Sequence, residues 1–207
     1  VKVSHVCNLS QLRHADNKQI MFSLEMLNDA ISQKKKVSFT YNEYEKDFKL
    51  HPNGRGTYIV NPYQLVANNG RYYLIGNYDK YNDISHYRID RMSDVAILEE
   101  NAKPLRQIKG MENGFALPKH MAEHIYMYSG ESAQIKMKVK KCLLNELIDW
   151  FGKDFRIAEE LEEDYLIRLK CNEKAMRFWA LQYGEYVEVL EPVSLRNQIK
   201  DSIQKMQ

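Results

Sequence analysis

The dipeptide Asn69-Gly70, set between two runs rich in aromatic and branched residues, limits the possible folds of this chain more than any other feature. A two-residue type I′ turn needs positive φ at both central positions, which Asn and Gly tolerate, so the pair predicts a tight hairpin. It would join residues 63–67 to residues 72–78, both suited to a pleated, half-buried surface. A second polar break over residues 79–83 sets off residues 84–89, and Ser93-Asp94 sets off residues 95–98. Strands this short and this closely spaced predict a small barrel, in which the sheet curls on itself and hides its edges.

Upstream, residues 1–18 are weakly patterned and are read as an extension. Asp16 and Gln19 have the spacing of a capping box. Ile20, Leu24, Leu27 and Ile31 then recur at helical spacing, and Lys34, Lys35 and Lys36 are read as a solvated helix end. Val37, Phe39 and Tyr41 alternate with Ser38, Thr40 and Asn42, the period of a strand buried on one face. Residues 43–55 are expected to form a polar hairpin loop turning at Pro52-Asn53-Gly54.

Residues 101–130 are read as a linker, broken by Pro104, Gly110, Gly114 and Pro118. Within it His120 and His124 would share a helical face, as paired zinc ligands do. No third ligand is in view, however, and no metal site is expected. From Gln134 onward the pattern reads strand, helix, strand, strand, helix, strand, helix. Its glycines at 152 and 184 fall where helices should end, and Asn172 falls where one should begin. The order through the fourth strand is that of a ferredoxin-like split βαβ unit, assigned to residues 131–207. The fold class expected is therefore α+β.

At 207 residues and 44% hydrophobic, the chain can bury the cores of two small domains. A formal charge of +2 excludes bulk polycationic binding of nucleic acid, so any anion site must be local. Cys7, Cys142 and Cys171 are odd in number and contain no CxxC pair, which predicts a reducing cytoplasm rather than a disulfide framework. No run approaches the about 20 apolar residues that cross a bilayer, and no signal pattern is present. The first residue is Val1 rather than Met, as in a fragment or processed chain. No phosphate-binding or dinucleotide-binding glycine loop, no nucleophile elbow and no nucleophile with a nearby His partner is found, so neither catalysis nor a cofactor is expected.

Pro62, the triplet Tyr72-Tyr73-Leu74 after a glycine turn, and Tyr87-Arg88-Ile89-Asp90-Arg91 occur in an order and spacing that resembles the WYL domain of bacterial transcriptional regulators. Tyr72 stands where that family usually has Trp. The resemblance runs from about Gln19 to the C-terminus. It implies an Sm-like or SH3-like barrel over residues 19–100 followed by a C-terminal extension domain. It also implies a helix-turn-helix DNA-binding domain in a fuller chain, a homodimer, and a nucleotide or single-stranded nucleic acid as effector.

By period two, His86, Arg88 and Asp90 face away from Tyr87 and Ile89, with Arg91 at the strand end. Guanidinium groups can fork onto phosphate while an aromatic ring stacks on a base. Set against this, Arg88 could pair with Asp79 or Asp83, and Arg91 with Asp94, as surface ion pairs of small worth. The two readings stand level on the residues alone, and the resemblance favours the first. The candidate ligand-binding set is thus Arg88, Arg91, Tyr73, His86 and Asn77, with Tyr72 and Leu74 turned into the core. A secondary basic face consists of Lys136, Lys138, Lys140, Arg168 and Lys170. It lacks the aromatics on which RNA-reading sheets stack bases, so a solvated face or a subunit interface with acids such as Glu188 is favoured over nucleic-acid binding there. Two rival functions remain: an accessory protein that binds single-stranded RNA or DNA and modulates a CRISPR effector, and a ligand-free dimerisation scaffold.

Overall fold

The computed structural model describes residues 17–112 and 114–206. Most of the extension expected over residues 1–18, with Asp16 and Cys7, lies outside the described residues. The chain divides into two compact units, the first ending at Glu112. The stretch expected as a linker is shared between them. Ile108 is buried within the first unit, while Ile125 and Met127 are buried within the second.

The first unit starts with helix α1 (Asn17–Gln33). Leu27 and Ala30 are fully buried, and Ile20, Leu24 and Ile31 pack beside them, so the helical stripe forms as expected. Burying a Leu as fully as Leu27 contributes about 1.5–3 kcal/mol relative to leaving it in water. Five strands follow: β1 (Lys35–Tyr44), β2 (Leu50–Asn68), β3 (Arg71–Tyr78), β4 (Ser85–Arg88) and β5 (Met92–Asn101). They form one antiparallel sheet in the order β4-β3-β2-β1-β5, which places β1 between β2 and β5. Its core holds Val37, Phe39, Tyr58, Val60, Leu74, Tyr87, Ile89 and Met92 against α1.

The Asn69-Gly70 turn is present, with φ of 48° and 70° and Asn68 opposite Arg71. Gly76 is needed for a different reason. A Cβ there would lie 2.7 Å from the Val60 side chain and 2.9 Å from the Asn61 carbonyl oxygen, so β2 and β3 close up only over glycine.

Several local expectations are corrected. Pro52-Asn53-Gly54 lies inside β2, where Pro52 is opposite Asn42. The turn comes earlier, where the Asp47 carboxylate accepts the Lys49 amide and Phe48 takes a φ of 60°. β5 runs through Ser93-Asp94 without a break, because Asp94 takes a φ of 56° and the irregularity is absorbed as a shift in pairing with β1. The pairing of β1 with β2 shifts between Thr40 and Asn42, with the extra residues on β2, and Asn42 is buried there, its amide donating to the Arg91 carbonyl and to Ser93 Oγ. The strand expected through residue 89 ends at Arg88, and Ile89–Arg91 forms a 3-10 turn. Lys35 and Lys36 begin β1 rather than ending a helix, and Lys36 Nζ holds Asp79 at 3.2 Å and Glu100 at 2.7 Å.

The second unit contains α2 (Leu117–Glu123), β6 (Ser132–Lys140), α3 (Leu144–Phe151), β7 (Phe155–Glu160), β8 (Asp164–Asn172), α4 (Glu173–Tyr183), β9 (Val187–Glu191) and α5 (Val193–Gln204). From β6 onward this is the order read from the sequence. The sheet is antiparallel, in the order β7-β8-β6-β9, so β6 and β8 are adjacent and central. Asn172 caps α4 by accepting the Ala175 amide at 3.1 Å. Ile135, Met137, Val139, Ile167, Leu169 and Cys171 share a core with Leu147 and Phe151 of α3, and with Met176 and Trp179 of α4. The other face of β6 and β8 is therefore the one without these helices. Ile148, Ile203 and Met206, apolar residues of these helices and the C-terminal end, are exposed. The seam of α3 is the i, i+4 pair Leu147 and Phe151, with Leu143 one turn earlier, and Ile148 sits on its shoulder.

Among the described residues no helix is long and apolar enough to cross a membrane.

Candidate functional site

Tyr73 on β3 and Arg88 on β4 are direct cross-strand partners, and Ile75 and His86 are the next pair along. Antiparallel partners project to the same side, here the side away from Leu74 and Tyr87. Tyr73, His86 and Arg88 are all half-buried there. Tyr73 also sits close enough to Arg88 for its oxygen to favour the charged guanidinium.

Arg88 is not tied to Asp79 or Asp83. Its Nε and Nη2 form a fork on Asp90, at 3.0 Å and 2.6 Å. The 3-10 turn makes this possible by folding Asp90 back, whereas an extended chain would hold positions i and i+2 nearly 7 Å apart. Burial works against the charged guanidinium, but the Asp90 carboxylate outweighs it and raises the Arg88 pKa further.

Arg91 ends the 3-10 turn, which Asn42 fixes by donating to the Arg91 carbonyl at 3.0 Å. Its side-chain Nε is buried and has no hydrogen-bond partner. A buried donor left unmatched costs about 1–3 kcal/mol, so its persistence calls for an explanation.

Beneath both arginines lies a residue the sequence reading had placed only in the core. Tyr41 packs by its ring among Phe39, Tyr58 and Tyr87, and its hydroxyl accepts the Arg88 amide at 3.1 Å. Burial raises the Tyr41 pKa, while the fields of Arg91 and Arg88 act to lower it. The signal for it was available: a Tyr ending an otherwise apolar alternation carries a polar tip that needs a partner.

Asn77 does not join this group. It is fully buried, donates to the carbonyls of Tyr81 and Asp83 at 2.9 Å and 2.8 Å, and accepts the Asn61 amide at 3.0 Å. Its polar atoms hold the turn between β3 and β4. Asp79 in that turn is similarly engaged: burial acts to raise its pKa, but Asn61, Lys36 and Lys103 outweigh this and lower it. Tyr72, expected in the core, is exposed because it lies at the hairpin end, opposite Ala67 and beyond the reach of α1's stripe.

The secondary basic face is largely internally paired. Lys136 lies 3.7 Å from Glu191, Lys138 3.3 Å from Glu188, Lys140 3.0 Å from Glu163, and Lys170 3.1 Å from Glu123. Glu188 also takes Arg196 at 2.8 Å. Arg168 is exposed and has no carboxylate among the described ion pairs.

His120 and His124 are buried, with ring centroids 4.4 Å apart, and His124 Nδ1 lies 2.8 Å from the Tyr128 carbonyl oxygen. Burial lowers both pKa values, that of His120 to about 3. Among the described residues no three His, Cys, Asp or Glu side chains cluster as metal ligands would.

Two family models match the chain: the WYL domain over residues 23–97 and the WCX domain over residues 133–207. Among curated proteins, the uncharacterized HTH-type transcriptional regulator YobV of Bacillus subtilis (strain 168) is 24% identical over 186 residues, an alignment covering 88% of this chain and 54% of that protein. The chain thus spans about half the length of this curated relative. Among solved structures, a CRISPR Cas-related protein matches 93% of this chain and 53% of its own, with a TM-score of 0.58 at 13% identity. Proteasome accessory factor B/C (PafBC) of Arthrobacter aurescens matches 92% of this chain and 27% of its own, with a TM-score of 0.41 at 14% identity. With a WYL domain followed in order by a WCX domain, the chain belongs to the WYL-domain family.

Proposed function

We propose that this chain is the effector-sensing part of a cytoplasmic transcriptional regulator, and that its first unit, an Sm-like barrel, takes a nucleotide or a single-stranded nucleic acid between Tyr73 and the arginines at 88 and 91. The observation that carries the reading is the buried, unpartnered Nε of Arg91, on the turn that directly follows the Tyr73–Arg88 pairing and within the field of the same Tyr41 hydroxyl as Arg88. Such a donor is matched when an anion arrives. Guanidinium planes suit phosphate, and a half-buried tyrosine offers a ring face to a base.

In this reading Arg88 is held in place and Arg91 is the free hand. Asp90 fixes the Arg88 guanidinium from one side and the Tyr41 hydroxyl fixes its backbone, so the site is largely preformed. His86, half-buried one pair along, borders it. The WCX unit, read as ferredoxin-like from its strand order, would serve a homodimer. A DNA-binding domain in a fuller chain would respond to a shift between two arrangements, which requires the effector to bind one of them more tightly. No catalytic step belongs to this reading.

The experiment is a thermal-shift screen of the purified protein against nucleotides, cyclic dinucleotides and short single-stranded DNA and RNA. Stabilisation by one phosphate-bearing class that grows with its concentration supports the reading. No shift with any member of the panel contradicts it.

A further inference from the structure

The sheet of the second unit carries a second place where positive charge is left unbalanced. On the face without α3 and α4, Arg156 of β7 is directly opposite Arg168 of β8, and Arg168 is directly opposite Lys136 of β6. Three cations therefore stand side by side in one row across three strands. Strands lie about 4.8 Å apart, which makes the row roughly 10 Å long.

Like charges directly opposed across a sheet destabilise it, so such a row is unusual without compensation. Elsewhere on this sheet compensation is the rule: Lys138, Lys140 and Lys170 each hold a carboxylate at 3.3 Å or less. In the row itself only Lys136 has one, Glu191 at 3.7 Å, and that carboxylate is mostly exposed. Arg156 and Arg168 are both exposed, and neither has an acidic partner among the described ion pairs.

We infer that this row is a binding track for the phosphate backbone of a single-stranded nucleic acid, separate from the barrel site. Two guanidinium groups and an ammonium in line offer forked contacts to successive phosphates. The row is one side chain wide and bordered by Glu188, Glu191 and the acidic turn at residues 159–164. Those carboxylates would repel a broad acidic protein surface but leave room for a thin strand crossing them at one line. No aromatic residue lies in the row, so the contacts hold the backbone and do not read bases. The track is independent of the barrel reading: it would stand if the barrel bound nothing.

The test is fluorescence anisotropy of the full chain with a labelled single-stranded DNA of mixed sequence, comparing the parent, Arg156→Ala with Arg168→Ala, and Lys141→Ala as a paired-lysine control. The barrel is silenced throughout by Arg91→Met. The expected result is a loss of about tenfold or more in the double variant alone, with the salt dependence flattened by about 1.4 in the log–log slope for two lost phosphate contacts. Equal affinity in the double variant and the parent overturns the inference. So does binding of poly-glutamate as tight as that of the oligonucleotide, which would make the row a seat for an acidic protein. Arg156→Lys with Arg168→Lys should recover part of the loss, since charge is kept and the fork is not.

Discussion

The hydroxyl of Tyr41 accepts the backbone amide of Arg88 at 3.1 Å, joining the aromatic core of the first unit to the strand that carries the candidate site. The contact lies at the last residue of β4, where the ladder ends and the 3-10 turn begins. Tyr41→Phe keeps the ring and removes only the acceptor. It should destabilise the first unit by about 1–2 kcal/mol, the cost of a buried amide left unmatched, with an unchanged dependence on urea concentration. A loss within error of zero would show that the amide finds another partner.

Asn77 anchors the turn between β3 and β4 through three polar contacts, one of them with Asn61. Asn77→Ala should cost roughly 2–4 kcal/mol in urea unfolding, because buried carbonyls and an amide lose their partners together. A variant that keeps its stability but loses ligand would return Asn77 to the binding site.

The buried imidazoles of the second unit make its stability depend on acid. The pKa of His120 is held down to about 3 when folded against an ordinary value of 6.5, so between these the unfolded chain binds a proton that the native chain does not. Stability is therefore full above about 6.5 and falls as the pH drops toward 3, by up to about 1.4 kcal/mol per pH unit for one such group. His124 is lowered as well and adds in the same direction. Denaturant titrations at pH 7, 6, 5 and 4 should show this decline, and His120→Phe should flatten part of it. An identical decline in His120→Phe would assign the acid sensitivity elsewhere.

Much of the fold was legible because its signals are local. Asn69-Gly70 marks a hairpin through backbone angles that only a few residues tolerate, and Asn172 and the glycines at 152 and 184 punctuate the second unit in the same way. Two of the errors share a cause, a shift in strand pairing. At Asn42 and Asp94 pairing shifts without leaving a trace in the alternation of side chains, so an outward residue became a buried one and an apparent break became continuous strand. Prolines and glycines inside a long strand, as at Pro52 and Gly54, imitate a turn equally well.

The candidate site was legible as a set of residues but not in its division of labour. Period two placed Arg88 and Asp90 on one side, yet only the 3-10 turn brings them into a fork. Tyr41 is 47 residues from Arg88 in sequence, and nothing short of the fold brings the two together. Whether an asparagine such as Asn77 points to solvent or into a turn depends on which carbonyls the loop turns inward.

The most direct measurement is the affinity of Arg91→Met for the phosphate-bearing ligand found by screening, taken by anisotropy alongside its urea stability. Methionine fills the side chain out to the Nε position and removes the guanidinium with its unmatched donor, so the protein should be about as stable as wild type, while binding falls by about a hundredfold or more, as expected for loss of a charge-assisted contact. Unchanged affinity in a folded Arg91→Met protein would contradict the account, since the unmatched donor would then serve no ligand.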